Sequence, residues 1–145
     1  MKVNLKKLDP RAKIPTYGSE YSAGADLYAC MDAPQTLAPG ETFLVHTGIA
    51  VEIPEGYVGL IYARSGLATK RGLAPANKVG VIDSDYRGEL MVSLYNQSGA
   101  PQTIEHGERI AQLVIAPFLK AEYHEVGELS ETVRGEGGFG STGRN

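Results

Sequence analysis

Apolar residues along this chain occur in short runs rich in Val, Ile, Leu and Tyr, and Gly, Pro, Asn or Asp bounds each run. Short runs between turn residues are typical of β-strands rather than helices. The pattern predicts strands at residues 3–8, 25–29, 42–47, 49–53, 58–62, 79–82, 89–95, 109–116 and 121–126. Turn residues recur between them, as in APGE, IPEGY, NQSGAP and EHGE. The spacing predicts an all-β domain, either a sandwich, a jelly roll or a closed barrel.

One segment departs from the strand pattern. Residues 65–70 carry helix-forming side chains between Ser65, a capping residue type, and Gly72. The sequence therefore predicts a single short helix. Its first backbone amides would follow Arg64 directly, and free amides at a helix start attract anions.

Length and charge narrow the class of protein. At 145 residues the chain has the size of one domain with a buried core. We expect residues 1–133 to form that domain and residues 134–145 to form a flexible glycine-rich arm. The net charge of −3 gives no bulk attraction to nucleic acid or anionic lipid. The single Cys30 precludes an internal disulfide, and no signal-peptide or membrane-spanning run is apparent, so we expect a cytoplasmic protein.

The arm reads RGEGGFGSTGRN and combines five glycines with arginines, hydroxyls and Phe139. That composition suits a flap that grips a nucleotide, whereas the alternative is a disordered chain end. Its GxGxxG at residues 135–140 is not a dinucleotide fingerprint, because no strand precedes it and no helix follows. It is not a Walker loop either, since Ser141 stands where a lysine is required.

Acidic and aromatic residues follow a predicted strand in GVIDSDYRGEL, residues 80–90, which contains Asp83, Asp85 and Tyr86. Such a turn is ordinarily a polar hairpin tip. A carboxylate beside a phosphate can also act as a general base for water, and spacing alone does not choose between the two aspartates. Asn77 carries an amide that both donates and accepts, which suits a pyrimidine edge, although a lone Asn is more often a turn residue.

Three more segments carry candidate binding groups. YSAGADL sets Asp26 after a tight turn at Gly24, where an Asx-type turn is the alternative. YARSGLA pairs Arg64 with Ser65, a cation and a hydroxyl suited to phosphate. GERIAQLVI places Gln112 within a buried strand, where its amide must find partners. The three histidines lack zinc-site spacing, and the available oxygen ligands suit magnesium.

Taken in order, the segments YSAGADL, ARSGLA, GVIDSDYRGEL, GERIAQLVI and RGEGGFGSTG resemble the five motifs of the trimeric deoxyuridine triphosphate nucleotidohydrolases, the dUTPases. The resemblance implies a distorted jelly-roll-like β barrel with one short helix, assembled as a homotrimer with its sites at subunit interfaces. It implies hydrolysis of dUTP to dUMP and pyrophosphate, with Mg²⁺ as cofactor and no nucleic-acid or membrane partner. That reaction keeps uracil out of DNA and supplies dUMP for dTMP synthesis.

The resemblance also implies roles for individual residues. Asp83 would activate the water that attacks the α-phosphorus, and Asp85 would be structural. Tyr86 would pack under the deoxyribose and exclude a 2′-hydroxyl. Asp26 and Gln112 would contact Mg²⁺ through water. The implied substrate-binding residues are Arg64, Ser65, Gly66, Asn77, Val81, Ile82, Asp83, Tyr86, Met91, Gln112, Arg134, Phe139, Gly140, Ser141 and Thr142.

Uracil recognition and phosphate binding would fall to different parts of that set. Asn77 and the backbone of residues 81–83 would read uracil, and Phe139 would stack on it. Arg134 would hold the β- and γ-phosphates together with the hydroxyls of the arm. One departure from the family is Ala63, which stands where many members have a proline that would stiffen the loop.

Two rival functions use related features. The dCTP deaminases share the fold, but they are expected to carry a glutamate near a serine-rich second motif, whereas this chain has ARSGLA. A catalytically silent regulatory module would be expected to lose either the water-activating aspartate or the arginine of the arm. Asp83 and Arg134 are both present, so the sequence favours dUTP hydrolysis.

Overall fold

The computed structural model describes residues 1–138, so the predicted site residues Phe139, Gly140, Ser141 and Thr142 lie outside the described part of the chain. Strands and one helix make up its regular structure. The strands are β1 (Asn4–Lys7), β2 (Thr16–Tyr17), β3 (Ala25–Tyr28), β4 (Gln35–Leu37), β5 (Thr42–His46), β6 (Ile49–Glu52), β7 (Tyr57–Tyr62), β8 (Leu73–Pro75), β9 (Val79–Ile82), β10 (Met91–Asn96), β11 (Gln102–Ile104) and β12 (Arg109–Pro117), and the helix is α1 (Ser65–Arg71).

The strands pair in four antiparallel groups. The largest is a five-stranded sheet in the order β2-β3-β12-β7-β9, and a three-stranded sheet has the order β5-β10-β8. The remaining strands form the pairs β1-β6 and β4-β11. The prediction of an all-β, jelly-roll-like fold with one short helix is confirmed. Within residues 1–138 the sheets do not close into a barrel, because the two pairs stay separate from the larger sheets.

The apolar core lies between the sheets and follows from the alternation of side chains along each strand. In β12, Ala111 and Leu113 are buried, whereas Gln112 and Val114 are only half-buried. Successive side chains of a strand point to opposite faces, so one face of β12 packs into the core and the other faces outward. Burying one large aliphatic side chain stabilises the folded state by about 1.5–3 kcal/mol. Burial of Leu113 therefore determines which face of β12 is turned toward the core. Gln112 is therefore presented on the outer face of the five-stranded sheet.

Eight of the nine predicted strands are present, with ends shifted by at most two residues. The prediction of a strand at residues 121–126 is wrong, because that segment has no backbone partner in the described part of the chain. Its Tyr123 side chain is 94% exposed. Strands β2, β4, β8 and β11 were not predicted, since two or three residues are too few to show an alternating pattern.

The helix confirms the predicted position but not the predicted cap. Ser65 is the first residue of α1, and Arg64 precedes it in an extended conformation without a side-chain capping bond. At the other end Gly72 adopts a left-handed conformation with φ of 65°. Its N–H donates to the carbonyl oxygen of Ala68 at 3.0 Å, which ends the helix. No helix within residues 1–138 is long and apolar enough to span a membrane.

Candidate functional site

The first candidate site is a pocket of about 410 Å³, which we call the arginine pocket. Strand β3, strand β12 and the start of α1 converge on it. It brings together five of the residues predicted to hold phosphate or Mg²⁺, namely Asp26, Arg64, Ser65, Gly66 and Gln112. The structure thus assembles three separate sequence motifs into one cavity.

An ion-pair cluster around Asp26 determines the charge of the arginine pocket. Arg64 donates from Nε to Oδ1 of Asp26 at 2.7 Å, and Arg109 donates from Nη1 to Oδ2 at 3.1 Å. The side chain of Asp26 is only 13% exposed, so the cluster is shielded from solvent on one side. Two guanidinium groups on one carboxylate leave a net positive charge, which favours an anionic ligand. Because Asp26 lies within β3, the Asx-turn alternative does not apply.

Gln112 is fixed by its neighbours in the same pocket. Its Nε2 donates to the carbonyl oxygen of Ala63 at 2.8 Å. Its Oε1 lies so close to Gly24 that a Cβ at that position would overlap the amide. The glycine is therefore needed for close packing against Gln112. The bond to Ala63 also restrains the loop in which many family members have proline.

The start of α1 supplies backbone donors to the arginine pocket. The first bond of the helix runs from the N–H of Ala68 to the carbonyl oxygen of Arg64 at 2.9 Å. The N–H groups of Ser65 and Gly66 precede it and have no acceptor within the helix. Both residues are exposed and line the pocket. A hydroxyl and two amides thus add to the arginine cluster.

Sequence reasoning missed Arg109 and Tyr62, which also line the arginine pocket. Arg109 and Gln112 are three residues apart, so a regular strand would place them on opposite faces. The register of β12 against β3 shifts between Arg109 and Ala111, and this irregularity re-aims the arginine to the face of Gln112. Tyr62 lies directly opposite Gln112 in the β12-β7 pair. The register shift in β12 and the pairing of Tyr62 with Gln112 both depend on how the strands are aligned, which the sequence alone does not show.

A second group of predicted residues lies around the end of β9. One cavity of about 260 Å³, the Tyr86 cavity, contains Tyr86 and Asp83. An adjoining space of about 80 Å³, the Asn77 cavity, contains Asn77. The two share the side chains of Val81, Ile82 and Met91. The residues within 1–138 that are predicted to face uracil, sugar or the attacking water therefore lie together, whereas Phe139, predicted to stack on uracil, lies outside the described residues.

The turn after β9 orients Tyr86. The N–H of Tyr86 donates to the carbonyl oxygen of Asp83 at 3.2 Å, and the tyrosine hydroxyl donates to the carbonyl oxygen of Glu89 at 3.0 Å. The ring packs against Gly88 so closely that a Cβ there would overlap it. The turn is not a hairpin tip, because β9 and β10 belong to different sheets. It crosses between the sheets and presents the tyrosine ring at the cavity.

Only one of the two aspartates faces the Tyr86 cavity. Asp83 lines that cavity and also a larger open groove of about 830 Å³, whereas Asp85 lines the groove alone. Strand alternation does not relate the two carboxylates, since β9 ends at Ile82. The structure therefore distinguishes two residues that spacing left equivalent.

Within one copy of the chain the two groups are apart. The arginine pocket has no lining residue in common with the Tyr86 or Asn77 cavities. Val79, at the near end of β9, pairs with Tyr62 of the arginine pocket. Asp83 lies four residues further along, which corresponds to about 13 Å of extended chain. The described chain thus presents two separate candidate sites, the arginine pocket and the cavities around β9.

Other reactive residues are engaged elsewhere. Arg134 is exposed and donates from Nε to the carbonyl oxygen of Gly137 at 2.8 Å, and it lines neither the arginine pocket nor the cavities around β9. Cys30 is buried, and burial raises the pKa of its thiol, in agreement with a structural rather than a nucleophilic role. No group of three or more His, Cys, Asp or Glu side chains in residues 1–138 converges so as to hold a metal ion.

The chain is thus an all-β protein with two separate candidate sites. One is the positively charged arginine pocket, which suits an anion, and the other is the cavity formed by Asp83 and Tyr86. A family model described as dUTPase matches residues 10–143. The deoxyuridine 5′-triphosphate nucleotidohydrolase of Burkholderia cenocepacia (strain HI2424) is 52% identical over 148 residues, which cover the whole of both chains. That of Paraburkholderia phymatum is 49% identical over the same span. The chain therefore belongs to the dUTPase family and is a hydrolase.

Solved structures agree with this assignment. A dUTPase variant from Staphylococcus bacteriophage 80alpha, with dUpNHpp, has a TM-score of 0.89 at 33% identity and covers 98% of each chain. A dUTPase variant from phage phi11 of S. aureus has a TM-score of 0.79 at 28% identity and covers 88% of this chain and 98% of that one. The phi11 structure reveals the coordination of a structural Mg(II) ion.

Proposed function

We propose that the chain hydrolyses dUTP to dUMP and pyrophosphate at a site that two copies build together. The observation that carries the proposal is that the predicted residues within 1–138, Arg134 excepted, fall into two separate groups, the arginine pocket and the cavities around β9, which we call the two half-sites. One has the charge and donors for a triphosphate, and the other has the shape and carboxylate for a deoxyuridine and a water molecule. Each half lacks what the other supplies.

The arginine pocket would bind the phosphates. Arg64 carries a planar set of donors that matches phosphate oxygens, and its bond to Asp26 holds it in place. The hydroxyl of Ser65 and the free amides at the start of α1 would add neutral donors. Because these groups are fixed before substrate arrives, little ordering is needed when the triphosphate binds.

The cavities around β9 would bind the nucleoside and position water. Asn77 and the β9 backbone would read the edge of uracil, and the ring of Tyr86 would lie where a 2′-hydroxyl has to fit. The carboxylate of Asp83 would accept a proton from water as the water oxygen attacks the α-phosphorus. The bond from that phosphorus to the bridging oxygen then breaks, and pyrophosphate leaves.

Magnesium fits the arginine pocket as an ion held mainly by substrate. Both oxygens of Asp26 already accept from arginine, so this carboxylate is poorly suited to direct ligation. It keeps lone pairs for the waters around a cation, as does Oε1 of Gln112. We propose that the oxygens of Asp26 and Gln112 hold Mg²⁺ through water, as the family resemblance implies. When bound, the ion would neutralise phosphate charge and favour one triphosphate geometry.

The outer face of the five-stranded sheet is suited to assembly into the homotrimer that the family resemblance implies. Beyond the polar row of Asp26 and Gln112, neighbouring strands present Leu60, Val81 and Val114 side by side. Val81 is 59% exposed. Contact with other copies would bury these apolar side chains. Such contact would bring the Asp83 half-site of one copy to the arginine pocket of another.

The segment after β12 would reach a neighbouring copy. Its apolar side chains are left almost uncovered by residues 1–138: Leu119 is 98% exposed and Leu129 is 87% exposed. We propose that residues 1–133 form the domain and that residues 134–145 form an arm. The arm would close the site with Arg134 on the phosphates and Phe139 on uracil, as the family resemblance implies.

The proposed function is tested by pyrophosphate release from dUTP, dCTP, dTTP and UTP, with Mg²⁺ and with excess EDTA. We expect kcat/KM for dUTP to exceed that for each other nucleotide by at least about 100-fold, because unpaired polar groups and steric overlap penalise the wrong ligand. EDTA should lower the rate strongly. Comparable rates for dCTP, or release of ammonia, would instead indicate a deaminase-like activity.

A further inference from the structure

Glu89 links the Tyr86 cavity to the corner between β5 and β6. It lines the Tyr86 cavity and also a separate cavity of about 420 Å³ on its other side. Its side chain is 20% exposed. The family resemblance assigns it no role, although it follows Tyr86 by only three residues. A partly buried carboxylate in such a position needs defined partners.

Both carboxylate oxygens of Glu89 have a partner from that corner. Oε1 accepts from the backbone N–H of Gly48 at 2.7 Å. Oε2 lies 2.8 Å from Nδ1 of His46, which acts as donor to the carboxylate. Hydrogen bonds to a charged group are stronger than those between neutral groups. These bonds tether Glu89 to the end of β5 and to the turn that precedes β6.

The same residue accepts the hydrogen bond that orients Tyr86. The tyrosine hydroxyl donates to the backbone carbonyl oxygen of Glu89 at 3.0 Å. The next residue is anchored as well, since the N–H of Leu90 donates to the carbonyl oxygen of Ile49 at 2.8 Å. The backbone carbonyl of Glu89 is thus held in place twice. The hydrogen bonds of the Glu89 side chain restrain the residue itself, and the bond from Leu90 to Ile49 restrains the backbone that follows. That carbonyl in turn fixes the outer end of the tyrosine ring.

We infer that Glu89 is a positioning residue for sugar discrimination, acting through Tyr86. The inference rests on the role proposed above for Tyr86 as the barrier to a 2′-hydroxyl. A steric barrier excludes one oxygen atom only while the ring stays in place, because a displacement of about 1 Å is enough to admit or reject such a group. The tether of Glu89 to His46 and Gly48 keeps the ring in place.

The measured quantity is the selectivity, the ratio of kcat/KM for dUTP to kcat/KM for UTP. Glu89→Ala removes both tethers, and we expect selectivity to fall about tenfold, the size expected for losing a charged hydrogen bond. Glu89→Gln can still accept from Gly48 and donate to His46, so it should stay within about twofold of the native selectivity. His46→Ala removes one tether from an exposed position and should lower selectivity by about threefold.

A matched control and a double variant separate this role from a general effect on stability. Glu41 also accepts a backbone N–H, that of Ala38 at 2.6 Å, but lies away from both half-sites. Glu41→Ala should leave the selectivity unchanged. In a Tyr86→Phe background, which lacks the hydroxyl, Glu89→Ala should cause no further loss of selectivity.

The outcomes distinguish the inference from the function on which it rests. If Glu89→Ala and His46→Ala lower kcat/KM equally for both nucleotides, Glu89 is only structural and the inference is overturned. If Tyr86→Ala also leaves selectivity unchanged, the sugar role of Tyr86 itself fails. If Tyr86→Ala admits UTP while the Glu89 and His46 variants do not, only the positioning role is refuted.

Discussion

Replacing Asp83 by asparagine should lower kcat for dUTP by about 10²–10⁴-fold, the contribution typical of a general base. The amide has nearly the same shape as the carboxylate, but it cannot take a proton from the attacking water. Binding should survive, since a neutral group next to a triphosphate removes a repulsion. Pyrophosphate release measures the turnover, and calorimetry with dUpNHpp measures the binding.

Asp85→Asn is the matched control for this change. Asp85 lies two residues away but lines only the open groove, so its replacement should leave kcat within about threefold of the native value, as for most surface changes. Turnover by Asp83→Asn near the native rate would remove Asp83 as the base. An equal loss in both variants would point to an effect of charge in the groove rather than to water activation.

Removing residues 134–145 should lower kcat/KM for dUTP by about 10²–10⁴-fold, because it deletes the arginine proposed for the phosphates and the ring proposed for uracil, two contacts of about 1.5–3 kcal/mol each. The thermal unfolding temperature and the number of chains in the assembly should stay unchanged, since no strand of the described fold includes these residues.

The control for the truncation is the shorter deletion of residues 144–145, which keeps every residue proposed to contact substrate. This protein should hydrolyse dUTP at the native rate. If the protein without residues 134–145 hydrolyses dUTP as fast as the full-length protein, the arm takes no part in catalysis. Dissociation of the assembly into single chains would instead show that the arm is needed for assembly.

The sequence predicted the long strands because alternation in segments such as RIAQLVIA reflects burial on one face. It failed at β4 and β8, where three residues carry no periodic signal. It also failed at residues 121–126, where the residue types favour a strand but the described chain offers no partner. A strand needs both propensity and a neighbour, and only the first is written locally.

The candidate site, too, could be predicted only in part from the sequence. The motifs identified the residues around Asp83 and Arg64, because these side-chain types are needed for the chemistry. They did not reveal that Arg109 joins Arg64 on Asp26, since the irregularity in β12 depends on pairing with β3. They also left Asp83 and Asp85 equivalent, because which of the two lines the Tyr86 cavity depends on where β9 ends and on the turn that follows it.

The central claim is that one active site combines half-sites from two copies of the chain. Asp83→Asn and Arg64→Gln should each be nearly inactive alone. Mixed by joint refolding in equal amounts, they should regain about a quarter of the native activity, since random assembly pairs two intact half-sites at that frequency. A mixture of Asp83→Asn with Asp83→Ala, treated identically, should stay inactive. The claim is contradicted if the mixture of Asp83→Asn and Arg64→Gln also stays inactive while native mass spectrometry shows mixed oligomers. The site would then lie within one copy of the chain.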